Sequence, residues 1–466
     1  MKETTLNANG RLPVWRRVCY GFTDAGGNFT FSIISSYLMV FYTDVVGLTP
    51  LVISTIMLVA RIWDAINDPM MGVIADKTKS RWGRYRPYLL FAAPILGVMT
   101  VLTFCTPHLF GFSQILYCAL TYILCGMAYT ATSVAGVSLA NVLSPNNQER
   151  ITLISFRGAI SNVASLITSA AMMPIILHFG GGDASSADGY FYAALIFSIA
   201  GTICYWIAFA GTKEVINPVA EGKKVSVKES LMTAFQDKNV RSLLVGYLIY
   251  MCGVFGRVGI MVYFFLYVVE QPTWMATASV VMTIAMMAPN FITPFLTKRF
   301  EKRNLIAAFL VLGFIGGVIM FLGGNMSSLP VICIGTALFH GCGAGVGGFA
   351  YGLIAEIIDD MEVRTGNRAD AIVSSVTSFA VKLGNAIAGS AGIAVLVAVG
   401  YVANEVQSAA TKTSMNAVIN IVPGVLYLIA IIPFALIKMN NKKAAENTKI
   451  LQERRVAGND TGGITC

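Results

Sequence analysis

Apolar blocks of about twenty or more residues recur from one end of the chain to the other, each long enough to cross a hydrocarbon core near 30 Å. Nothing constrains the fold of this sequence more. Of its 466 residues 56% are hydrophobic and 12% are charged, about half the charged share of a soluble domain. The mean hydropathy is +0.68. The expected fold is an all-α, polytopic membrane protein.

Block lengths and breaks predict twelve spans. The first six run over roughly 18–43, 50–75, 88–106, 112–142, 153–179 and 189–212. The last six run over roughly 241–269, 274–297, 304–323, 330–357, 371–400 and 413–438. Two six-helix bundles are thus expected at 1–212 and 241–440, with a cytoplasmic linker at 213–240 and a cytoplasmic tail at 441–466. The net charge of +9 comes from basic residues in short connections such as KTKSRWGRYR and KRFEKR, and at both termini. Alternate connections such as TPHLFGF and EQPT are poor in Lys and Arg. This asymmetry is the positive-inside pattern; it predicts cytoplasmic termini and argues against a nucleic-acid partner. The basic 77–86 and 298–303 connections fall at equivalent places in the two halves, a weak internal echo. The nine cysteines are scattered singly, with no disulfide framework, metal spacing or thiol site implied. No removable signal peptide is expected.

RIWDAINDPMMG, residues 61–72, sets an arginine and two aspartates inside a span. Each charge near a bilayer centre costs at least ~2.5 kcal/mol. Asp64 and Asp68 are four residues apart, so one helical face carries both carboxylates about one turn apart. Arg61 lies on nearly the same face, and Asn67 adds a neutral oxygen. Asp24 and Asn28 repeat the four-residue spacing in the first span, and Thr130 and Ser133 lie in the fourth. Carboxylate, amide and hydroxyl oxygens suit a hard cation, sodium or lithium, and a carboxylate alone can carry a proton. Alternatively, Arg61 and Asp64 simply neutralise each other, which leaves Asp68 unexplained.

Other charges interrupt later spans: Arg157 in the fifth, Arg257 in the seventh, and Lys382 in the eleventh. Each is expected to face a bundle interior or an aqueous cavity. Lys382 could be a salt-bridge partner or a substrate ligand. Arg257 could bind an anionic substrate group or pair with an acid, with the former favoured. His340, among the small residues of HGCGAGVGG, reads as a hydrogen-bonded packing residue. That glycine run is no phosphate cradle, since no GK[ST] follows it. No nucleophile–base pair or zinc motif emerges, so no enzyme and no organic cofactor is expected.

The stretches YGFTDAGGNF, FYTDVVGL, LVARIWDAINDPMMG, SRWGRYRPYLL, AEIIDDMEVRTGNRADAI and AVKLGNAIAG occur in that order. In them the chain resembles the glycoside–pentoside–hexuronide:cation symporters, the melibiose permease-like branch of the major facilitator superfamily. The resemblance covers about residues 15–440. It implies two six-helix bundles around a cavity that opens alternately to each side. It implies a cation site of Asp64, Asn67, Asp68 and Thr130, with Lys382 close by and Arg157 helping to bind sugar. The sugar site departs from the pattern: positions that carry acids on the first and fourth helices hold Asn28 and Ser133, and a stacking tryptophan falls near Val137. TDAGGN, with Asp24, looks more like members handling pentosides or hexuronides.

The resulting expectation is a symporter of the bacterial inner membrane, acting as a monomer, that imports a glycoside, pentoside or hexuronide with sodium, lithium or a proton. Asp24, Asn28, Ser133, Arg157, Arg257 and Lys382 are its candidate sugar ligands. Asp76, Arg81, Arg84, Arg86, Asp359, Asp360 and Arg364 could form ion pairs that hold one state closed, or could serve only topology and solvation. A carrier of another organic anion, or a sugar sensor that moves no solute, are the rival readings.

Overall fold

The computed structural model describes residues 12–107, 109–144, 147–215, 236–365 and 370–461. Most of the expected linker, the end of the tail with Cys466, and the side chain of Asp76 lie outside the described residues. Among the described residues there are long helices and no strand. In chain order they are α1 (Val14–Val40, prolonged by a π-helical turn, Phe41–Val45), α2 (Pro50–Lys77), α3 (Arg86–Thr103), α4 (Phe112–Leu143), α5 (Asn147–Phe179) and α6 (Ala187–Gly211). There follow α7 (Lys238–Tyr263, prolonged by a second π-helical turn, Phe264–Val268), α8 (Trp274–Arg299), α9 (Lys302–Asn325), α10 (Leu329–Thr365), α11 (Asp370–Ala398), α12 (Ala409–Ala435) and α13 (Asn441–Thr461). The chain is a multi-pass membrane protein: 11 of these helices are long and apolar enough to cross a bilayer.

Local chemistry explains the boundaries. Pro50 and Pro87 sit in the first turns of α2 and α3, where a missing N–H costs nothing. Pro94, Pro174, Pro423 and Pro433 lie inside helices, a placement that spanning helices tolerate because neighbouring groups satisfy the freed carbonyls. Helix α3 is apolar on every side. It buries Leu89, Ala93 and Leu96 yet exposes Phe91, Ile95 and Val98, as a helix between a protein core and lipid tails requires.

The described residues fall into two compact units. One comprises Met1–Gly222, Val258–Thr283 and Gly389–Met415. Its core packs Tyr20, Leu89, Leu96, Cys125, Leu139, Leu153 and Tyr205. The other comprises Lys223–Arg257, Ile284–Ala388 and Asn416–Cys466, with a core around Tyr247, Phe339, Phe349, Leu353, Ile357 and Tyr427. In this second unit the glycine run of α10 serves close packing. A Cβ at Gly345 would stand 2.6 Å from the Phe309 ring, and one at Gly343 2.6 Å from the Tyr427 hydroxyl.

Candidate functional site

Two pairs of helices in the first unit meet in matching register. On α2, Asp64 and Asp68 are one turn apart, and on α4 so are Gly126 and Thr130. The carboxylate of Asp64 lies against Gly126, where a Cβ would come within 3.0 Å of Oδ1. The hydroxyl of Thr130 donates to Asp68 Oδ1 at 2.8 Å. Thus α4 offers a gap to one aspartate and a hydroxyl to the other. Arg61 Nη1 donates to Asp64 Oδ2 at 3.3 Å, both side chains being about a quarter exposed. Asn67 is buried, and its Nδ2 has no hydrogen-bond partner among the described residues.

The same register recurs between α1 and α5. Arg157 pairs with Asp24 and Ser161 with Asn28, each couple four residues apart on its helix. The Asp24 and Arg157 side chains keep 32% and 20% of their exposure, so water or a solute can reach the pair. Ser133, one turn after Thr130 on α4, is half-buried. Tyr129 lies between the two centres, within electrostatic reach of Asp24, Arg157, Arg61 and Asp68, with its ring 6.1 Å from that of Phe31. The sequence reading missed Gly126, Tyr129 and Ser161. The i,i+4 partners of Thr130 and Arg157 were the available signal.

This arrangement gathers groups whose chemistry suits a small cation. Two carboxylates, a hydroxyl and an amide are hard oxygen donors of the kind that hold alkali ions or protons. Arg61 already offsets part of the charge on Asp64, so an arriving cation must share that carboxylate with the guanidinium. Among the described residues no group of three or more His, Cys, Asp or Glu is arranged to hold a metal ion, and the eight described cysteines are free.

Two other sugar candidates stand in the second unit. Arg257, expected to meet an anionic solute, is completely buried. Its Nη1 donates to His340 Nε2 at 2.8 Å and its Nη2 to Asn420 Oδ1 at 3.3 Å. The guanidinium also lies 5.6 Å from the Phe339 ring centre. In this arrangement the side chain is tied into α9, α10 and α12 and is not offered to a solute. Lys382, on α11, is exposed.

The gating candidates separate likewise. In the first unit, the α2–α3 turn closes around Glu214, whose carboxylate accepts the backbone N–H groups of Arg84 and Tyr85 at 2.8 Å and of Arg86 at 3.1 Å. This is an anion seated at a helix N-terminus. Gly83 there has φ +108°, and a Cβ would fall 2.4 Å from the Glu214 carboxyl carbon, so only glycine fits. The Arg86 guanidinium donates to the carbonyls of Trp82 and Phe209 at 3.3 and 2.8 Å, while Arg81 stacks 4.1 Å from the Trp82 ring.

In the second unit, Asp360 is buried and takes Arg364 Nε at 2.9 Å and Lys443 Nζ at 2.7 Å. Asn447 donates to it at 3.3 Å, so α13 docks on the end of α10 through this carboxylate. Arg364 also reaches Asp237 at 2.7 Å, which caps α7 by accepting the N–H groups of Asn239 and Val240. Burial pushes the Asp237 carboxyl up, but Arg364 and the two amides outweigh it and hold it below the usual carboxylate range. Asp359 is half-buried beside this network.

Residues 19–441 match the family described as MFS/sugar transport protein. The chain belongs to that family. It is 34% identical over 451 residues to the isoprimeverose transporter of Lactiplantibacillus pentosus, covering 96% of this chain and 94% of that one. It is 28% identical over 456 residues to the inner membrane symporter YicJ of Escherichia coli (strain K12), covering 96% of each. In structure it resembles a bacterial homologue of the human lysosomal transporter Spinster in an inward-facing conformation. That likeness covers 93% of this chain and 97% of the other at TM-score 0.67, with 12% identity; at that identity it speaks for the fold alone. The protein is a sugar transporter of the major facilitator fold and the glycoside–pentoside–hexuronide symporter type, not an enzyme.

Proposed function

We propose that the protein imports a glycoside, pentoside or hexuronide together with sodium, lithium or a proton, by alternating access between two six-helix bundles. The cation takes Asp64, Asn67, Asp68 and Thr130; the sugar takes Asp24, Asn28, Ser133 and Arg157. The observation that carries this reading is the doubled register in the first unit: α2 with α4 around two carboxylates, α1 with α5 around a solvent-reachable ion pair, and Tyr129 between them. A cation that neutralises Asp64 and Asp68 draws α2 onto α4 and thereby fixes Tyr129 and Ser133 for the sugar. Linkage then requires the sugar to raise cation affinity by the same factor.

The resemblance to symporters supports cation coupling, and the likeness to an isoprimeverose transporter supports a glycoside cargo over an unrelated organic anion. Fewer acids stand on α1 and α4 than in the family pattern, so a uronate carboxylate is tolerated there beside Arg157. The basic connections support cytoplasmic termini, for a carrier acting as a monomer in a bacterial inner membrane. Purified protein in liposomes tests this: an imposed sodium or proton gradient should accumulate a sugar of this class. Cation-dependent binding without flux would instead identify a sensor.

A further inference from the structure

Helix α1 starts at the basic Arg16 and Arg17 and ends at Asp44, so Asp44 lies at the opposite end of the span from the basic connections. None of the cation or sugar residues involves it. Its side chain is 7% exposed, and its carboxylate accepts three hydroxyl groups: Thr43 at 2.6 Å, Tyr267 at 2.5 Å and Tyr401 at 2.7 Å. Tyr263 Oη lies 2.9 Å from the same Thr43 hydroxyl. Asn404 Nδ2 donates to the Asp44 carbonyl at 2.7 Å, and its backbone N–H to Tyr267 Oη at 3.3 Å. All these residues belong to the first unit, although they come from α1, from the end of α7 and from the α11–α12 connection.

Three features mark this cluster as more than packing. Asp44 and Tyr267 both sit on the π-helical turns that prolong α1 and α7, and π-helical turns are frequent at functional sites. These are the first helices of the two sequence halves, so equivalent ends meet here. The backbone beside the contact enters the left-handed region twice, at Asn404 (φ +59°), a residue type that tolerates it, and at Glu270 (φ +58°), which is joined to Lys412 at 2.6 Å. Lastly, the hydrogen-bond partners of the buried carboxylate are neutral hydroxyls. A guanidinium there would bind far more strongly, whereas hydroxyls close the contact and still let water reopen it.

We propose that Asp44, with Tyr263, Tyr267, Tyr401 and Asn404, forms a reversible latch that shuts the face of the carrier opposite its basic connections. Opening the sugar site to that face requires the end of α1 to leave Tyr267 and Tyr401, with water replacing the phenols on Asp44. This inference rests on the alternating-access reading above and adds to it the groups that hold one face shut.

Met275 gives a direct test. It is buried, its sulfur 3.6 Å from the hydroxyl of Tyr37, which stands two turns before Asp44 on α1. A Met275→Cys variant in liposomes is treated from outside with a membrane-impermeant maleimide, and labelling beyond that of the Met275 protein is followed in time. Removing both phenols with Tyr267→Phe and Tyr401→Phe should speed that labelling by about tenfold or more, each being a hydrogen bond to a charged group. Asp44→Asn should speed it as well. The single Tyr→Phe variants, checked as monodisperse by gel filtration, carry the result should the double variant not fold. A rate within twofold of the intact latch in all of them overturns the proposal. Because labelling needs no transport, unchanged labelling with intact gradient-driven uptake removes the latch alone. Accelerated labelling without uptake removes the symport reading and keeps the latch.

Discussion

Thr130→Val is the substitution that isolates one ligand of the proposed cation site. Thr130 is 5% exposed and its hydroxyl donates to Asp68 Oδ1 at 2.8 Å. Valine has nearly the same shape, so α2 and α4 keep their packing and only the hydroxyl is lost. The hydroxyl proton can stay on Asp68 with and without the cation, so that hydrogen bond cancels between the two states. What the loaded state alone uses is the oxygen lone pair. Losing one such interaction with a charge costs about 1.5–3 kcal/mol, or roughly ten- to a hundredfold in cation affinity. The assay is equilibrium binding of a labelled sugar at increasing cation concentration. The half-maximal cation concentration should rise by that factor, with sugar affinity at saturating cation within twofold of wild type. Thr130→Ser, which restores the oxygen, should return the half-maximal value to near wild type. An unchanged half-maximal concentration in Thr130→Val, or sugar binding lost even at saturating cation, would refute the assignment.

Other substitutions separate the remaining parts. Arg157→Gln should weaken sugar binding more than tenfold by calorimetry while leaving cation binding, measured without sugar, unchanged; the ion pair with Asp24 is partly exposed, so stability should fall by only about 1 kcal/mol. Arg257→Met leaves His340 Nε2 and Asn420 Oδ1 without their donor, at about 1–3 kcal/mol for each buried acceptor. It should lower the thermal unfolding midpoint and leave the preference between neutral and acidic sugars as it was. The depressed Asp237 carboxyl gives a pH signature with a definite sign. Its contribution is fully present above the ordinary carboxylate pKa near 4 and is lost as pH falls through its lower folded value. Asp237→Asn should therefore unfold more easily than wild type at pH 6, with the two converging as pH falls through the lowered folded value of Asp237.

What the sequence made legible follows from how local each feature is. Span lengths and the four-residue spacing of Asp64 and Asp68 are properties of single helices, so they could be read directly. The pairing of Thr130 with Asp68 joins residues 62 apart and came only through family resemblance. Gly126 and Ser161 were invisible because their part depends on which helix packs opposite. The latch is the extreme case: Asp44 and Tyr401 are 357 residues apart, and nothing in YTDVV announces a phenol partner. Arg257 shows the opposite limit. Its charge stood out in an apolar span, but its burial among His340, Met320 and Asn420 depends on three other helices.

On the proposed reading, Asp64 and Asp68 couple sugar movement to a cation. Liposomes carrying wild-type protein or Asp68→Asn, given an imposed inward sodium or proton gradient, test it most directly through accumulation of a labelled glycoside. Wild type should concentrate the sugar inside under one of the two gradients. Asp68→Asn, inserted and monodisperse, should at most equilibrate it. Accumulation by Asp68→Asn at the wild-type level would contradict the account and return this pair of carboxylates to a structural role.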